Sequence, residues 1–187
     1  MMFGLIAISS KFVPWYYGEG FDGVIPIMIA TAPILIPIGL NGITGTQYLV
    51  QIGKQKIYTI SVIVGAIVNV LLNLVLIHFF KGIGAAIASV IAETIILIIQ
   101  LKYFKEQFTI LEILKLSIKC LISGIVMFIV VFLLANYMSV SIINTLIQAI
   151  AGIITYFIML IILKYQFLKD ILNQVISGAK KKLGKEN

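Results

Sequence analysis

The sequence predicts an all-α, polytopic transmembrane helix bundle with five full spans and the end of a sixth. Three observations lead there. Of 187 residues, 61% are hydrophobic and 11% charged, against roughly 45–50% and about 25% in soluble domains. Apolar runs long enough to cross a bilayer recur along the chain, and lysines fall almost wholly in alternate gaps between them. A soluble fold of this size cannot hide so much apolar surface, so membrane lipid is the expected solvent and partner.

Met1 to Ser10 is apolar but has no basic flank before it and no clear cleavage site, which makes it a poor signal peptide. Ten helical residues rise only about 15 Å against a hydrocarbon core of roughly 30 Å. Residues 1–10 are therefore expected to be a helix remnant, and the chain a C-terminal fragment. Lys11 to Asp22 gathers Phe12, Trp15, Tyr16, Tyr17 and Phe21 around Pro14, Gly18 and Gly20. Such aromatics favour the membrane–water boundary and read as an anchoring loop.

The first full span, about 24–50, is free of formal charge and holds Pro26, Pro33 and Pro37. Proline removes a backbone donor and bends a helix, so a broken or curved span is expected. Asn41, Thr44, Gln47 and Gln51 recur on one helical face towards its end. They suit either a cavity lining or hydrogen bonding between helices. Lys54 and Lys56 then form a short basic turn.

Spans at about 58–78 and 83–101 follow as a hairpin, turning at Phe79, Phe80, Lys81 and Gly82. The first arm carries Ser61, Gly65, Asn69 and Asn73, each four apart, and so stacked in one ridge. The second repeats the device with Gly84, Ala88 and Ala92, flanked by Ala85, Ser89 and Glu93. Small-residue ridges let helices approach closely in lipid. Asn69 and Glu93 lie at similar distances from the turn, hence at one depth.

Lys102 to Lys119 is mixed, and Thr109 with Glu112 resembles a capping box that starts a helix near Ile110. Cys120 to Leu163 has no charge and is too long for one span. The polar interruption from Asn136 to Ser141 divides it into spans at about 114–136 and 141–163. These spans complete a bundle over 1–163. From Lys164, Leu168, Ile171, Leu172, Val175 and Ile176 recur at helical spacing, which reads as an amphipathic basic tail over 164–187.

The net charge of +7 comes from fourteen lysines and no arginine, against seven acids. A nucleic-acid binder would cluster them on a polar domain, so no nucleic-acid partner is expected. With the tail in the cytoplasm, alternation puts twelve lysines inside and two, Lys11 and Lys81, outside. The positive-inside rule favours that orientation. The lone cysteine, Cys120, can form no disulfide within the chain.

Enzyme chemistry has little to stand on. One histidine, His78, sits at a turn, and no nucleophile elbow, phosphate-cradling glycine loop or metal-ligand spacing is present. No enzyme, cofactor or metal is therefore expected. A carboxylate at mid-membrane costs at least about 2.5 kcal/mol, so Glu93 needs a polar partner or a wet cavity. Two roles fit it equally. Hydrogen-bonded to Asn69 or Asn73, it locks the hairpin; in a translocation path, it titrates during transport. Gln100 shares the face of Glu93 nearer the cytoplasm, and Gln47 lies at the end of the first span. Lys115 and Lys119 stand at the mouth of the next span, where they suit an anionic headgroup or simply the positive-inside rule. Glu93, Asn69, Asn73, Gln47, Gln100, Lys115 and Lys119 are the candidate substrate-pathway residues.

Tyr16 to Leu101 resembles the C-terminal half of Wzx-type polysaccharide flippases. These belong to the multidrug/oligosaccharidyl-lipid/polysaccharide exporter superfamily. The likeness lies in order and spacing: GEGF, the proline-bearing span, GTQYL, a lysine turn, Asn69 and Asn73, GAAIA, and Ala92-Glu93 with Gln100 later. It implies one half of an exporter built from two six-helix bundles facing a central cavity. Its substrate would be a polyprenyl-pyrophosphate-linked oligosaccharide, such as a polysaccharide or O-antigen repeat unit. Alternating access would move it across the bacterial inner membrane, with dependence on an ion gradient. The implied partners are the missing N-terminal bundle and glycosyltransferases or a polymerase. Family members have a cationic cavity, and this chain has no arginine and no mid-membrane lysine, so such cations would come from the missing half. A multidrug exporter of the same superfamily and a non-transporting scaffold subunit of a glycan-assembly complex are the alternatives.

Overall fold

A computed structural model describes residues 1–104 and 110–163. The expected cap at Thr109, the 164–187 tail and the side chain of Lys115 lie outside the described residues. The described chain is helical throughout: α1 (Met2–Tyr17), α2 (Val24–Thr31), a 3-10 turn (Ala32–Ile34), α3 (Leu35–Asn41), a π segment (Gly42–Leu49), α4 (Gln55–Phe104), α5 (Ile110–Tyr137) and α6 (Ile142–Ile162).

Helix α1 runs past Ser10 to Tyr17, so the stretch expected as an anchoring loop is largely helix. Helical spacing holds its rings together. Phe12 stacks on Tyr16 at 5.0 Å between centroids and meets Trp15 edge-on at 5.4 Å. The helix stops at Gly18, whose φ of 88° suits a residue without Cβ. Its N–H donates to the Pro14 carbonyl at 3.2 Å.

The proline-bearing span changes winding three times between Val24 and Leu49. Pro33 lies in the tight 3-10 turn, where a missing donor is least costly. The span ends beyond Leu49 in a turn closed by Gly53 at φ 77°.

The apolar stretch Gln55–Tyr103 is 49 residues long, and its backbone leaves the helical region at Lys81 (φ 50°, ψ −127°). Each arm of α4 is about 35 Å long at ~1.5 Å per residue, enough for a bilayer core. Cross-arm contacts pair Asn69 with Ser89 and Ser61 with Gln100, so the arms are antiparallel about the turn. The ridges meet as the small residues require. A Cβ on Gly65 would overlap Ile96, and one on Gly84 would overlap the Leu76 carbonyl. Large apolar side chains point the other way; Leu74 is 73% exposed. Small inside and large outside is the packing of helices in lipid.

The proline span lies along the second arm and parallel to it, with Asn41 against Glu93 and Thr44 against Gln100. Helices α1, α5 and α6 form a second trio. Ala7, Met127 and Val131 make its core, with Phe3, Phe128 and Tyr156 around them. The indole N–H of Trp15 donates to Thr145 Oγ1 at 2.9 Å, joining α1 to α6. Helix α1 also packs on α2 and links the two trios. The chain is a multi-pass membrane protein: among the described residues four helical stretches are long and apolar enough to cross, and the longest is bent at Lys81.

Candidate functional site

A polar seam crosses three helices on the side of the hairpin's middle away from its turn. Asn41, the last residue of α3, donates from Nδ2 to Glu93 Oε2 at 2.7 Å and to the Glu93 carbonyl at 3.2 Å. One turn on, Thr44 donates from its hydroxyl to Gln100 Oε1 at 2.6 Å. Gln100 Nε2 donates to Ser61 Oγ at 3.1 Å, and Ser61 donates to the Tyr58 carbonyl at 2.7 Å. Gln100 and Ser61 are both 0% exposed. Each amide of the seam is thus engaged by a partner on another helix, which a buried polar group in lipid needs.

The π segment makes the close approach. A Cβ on Gly45 would lie 2.8 Å from the Tyr58 ring and 3.0 Å from Gln100 Oε1, so glycine is required at this contact. Beside it opens a cavity of about 260 Å³, lined by Asn41, Thr46, Tyr58, Val62, Glu93 and Gln100 among others. That is room for a few water molecules, which a half-buried carboxylate needs. The side-chain oxygen of Asn41, Oδ1, is buried without a partner. The site presents a carboxylate, an unpartnered amide oxygen and a small cavity.

Glu93 and Gln100 lie in this seam. The expected partners of Glu93 do not. Asn69 donates to Ser89 Oγ at 3.3 Å, and Asn73 donates to Asn69 Oδ1 at 2.9 Å. Shared depth was correct in outline, but azimuth decides contact. Ala92 faces Gly65 of the first arm, so Glu93, about 100° further round, faces the proline helix instead. Asn73 borders a shallower groove with Val70, Leu74, Ile77 and His78. Gln47 is exposed and lies outside the seam, and Lys119 sits on α5 in the other trio. Asn41 and Thr44 carry contacts that the candidate set left out. Their signal was present in the i, i+3 spacing of two polar residues in an uncharged span.

No family model matches the chain, and no curated protein matches it. Among solved structures, it superposes on a flippase described as "Lipid II flippase MurJ, inward closed conformation", with a TM-score of 0.69 and 26% identity. The fold is similar to part of a lipid II flippase. The match covers 89% of this chain and 36% of the flippase, so the chain spans about a third of that protein's length.

Proposed function

We propose that the chain is part of a transporter that flips lipid-linked oligosaccharide across the bacterial inner membrane by alternating access. It would act as a carrier, not an enzyme, and work with a second bundle. The observation that carries this reading is the likeness to the lipid II flippase across 89% of the chain. The seam supports it: a carboxylate and amides bordering a cavity inside a lipid-dissolved bundle suit a path for polar cargo. The resemblance to Wzx-type flippases points to a polysaccharide or O-antigen repeat unit on polyprenyl pyrophosphate, with glycosyltransferases or a polymerase as neighbours.

The solved flippase favours a second reading, in which the cargo is lipid II itself. Complementation separates the two. Expressed with its second bundle, the protein is expected to restore surface glycan in a strain lacking a polysaccharide flippase. Rescue of a strain depleted of its lipid II flippase would favour the second reading. Rescue of a drug-sensitive strain alone would place it among multidrug exporters. Restoring none while co-purifying with glycosyltransferases would make it a scaffold.

A further inference from the structure

The π segment has a consequence for the seam. An α-helix advances about 100° per residue, so from Thr44 it would bring Gln47 back to the same face and turn Leu49 away. The wider winding of Gly42–Leu49 does the opposite. Leu49 is 0% exposed and Gln47 is exposed. Eight residues of π winding are long for a form found mostly as single-turn bulges, and such bulges mark functional positions. Cross-helix bonds hold its start, Asn41 to Glu93 just before it and Thr44 to Gln100 within it, and Gly53 with φ 77° lies beyond its other end.

We propose that Gly42–Leu49 is a register switch, held in its π form by the Asn41–Glu93 and Thr44–Gln100 hydrogen bonds. Released, it rewinds to α and exchanges apolar Leu49 for Gln47 on the inward face. In one register the seam is closed at its end by a leucine; in the other an amide continues the row of Asn41, Thr44 and Gln51. The switch is a property of the helix, whatever cargo the chain moves. Glycine at 45 is what the π form needs, since a Cβ there would lie 2.8 Å from the Tyr58 ring.

The test uses nitroxide labels in the full chain in lipid vesicles, with Cys120→Ala and a single cysteine at Gln47 or Leu49. Accessibility to dissolved oxygen and to a water-soluble nickel chelate separates buried sites from exposed ones, whether lipid or water lies outside. In the parent the label at 47 is accessible and that at 49 shielded. In Asn41→Leu/Thr44→Val the order is expected to reverse, the ratio of the two registers shifting by about thirtyfold, as loss of two hydrogen bonds of ordinary net strength gives. Gly45→Ala removes no polar side chain but crowds the π form against Tyr58 and Gln100 Oε1, and is expected to reverse the order too. Unchanged order in both variants would overturn the switch. So would both sites gaining access together, since that is loosening without a change of register.

Discussion

At Glu93, one amide nitrogen serves two acceptors: Asn41 Nδ2 reaches both the carboxylate and the backbone carbonyl. Removing the carboxylate therefore strips a partner from a half-buried amide whose own carbonyl oxygen is already unpaired. Glu93→Leu is expected to destabilise the bundle by about 1–3 kcal/mol, the range for leaving a buried polar group unmade. Glu93→Gln keeps an acceptor for Asn41 and is expected to cost no more than about 1 kcal/mol. Thermal unfolding in detergent measures both. Export separates the roles: impaired export with Glu93→Gln at near-normal stability would show that the carboxyl itself, beyond an acceptor for Asn41, is needed. Normal export there, beside loss with Glu93→Leu, leaves only the hydrogen bond. The sequence showed that Glu93 needed a partner, because an uncharged span surrounds it. It could not name the partner, since candidates at one depth differ only by rotation about the helix axis.

Among the elements, the α4 hairpin was the most legible. Its ridges of small residues fix which faces meet, and its turn was marked by Phe79 to Gly82. Lys81 holds that turn at φ 50° and ψ −127°, a conformation costly for any residue with a Cβ. Lys81→Gly is expected to stabilise the hairpin by about 1 kcal/mol, read as a higher unfolding temperature in detergent. No gain would mean that lysine contributes at the membrane surface as much as its backbone costs. The proline span was legible as broken, from three prolines, but its π winding was not. Nothing in GITGTQYL distinguishes π from α by periodicity, because the extra residue per turn is stabilised by contacts with Gln100 and Tyr58 on another helix. Gln47 consequently faces outward where α spacing put it with Asn41 and Thr44. The aromatic stretch after Ser10 misled in the other direction: Pro14 suggested a loop, yet the i, i+4 pairing of Phe12 and Tyr16 continues the helix until Gly18.

For the whole molecule, the packing is that of a lipid-dissolved bundle, with small residues at helix contacts and large apolar ones outside. The lysine pattern adds an orientation. With Cys120 replaced, a cysteine at Phe80 is expected to react with a membrane-impermeant maleimide from outside intact cells, and one at Gln55 only after permeabilisation. The reverse pattern would invert the topology. Hydropathy and charge determined the class of solvent and the helical content, because each depends on the composition of one segment alone. Only the tertiary structure decided that Glu93 turns to Asn41, that Leu49 rather than Gln47 lies inward, and that α1 joins the two trios. Those outcomes depend on rotation and winding of one helix against another, and a chain written in one dimension carries no coordinate for either.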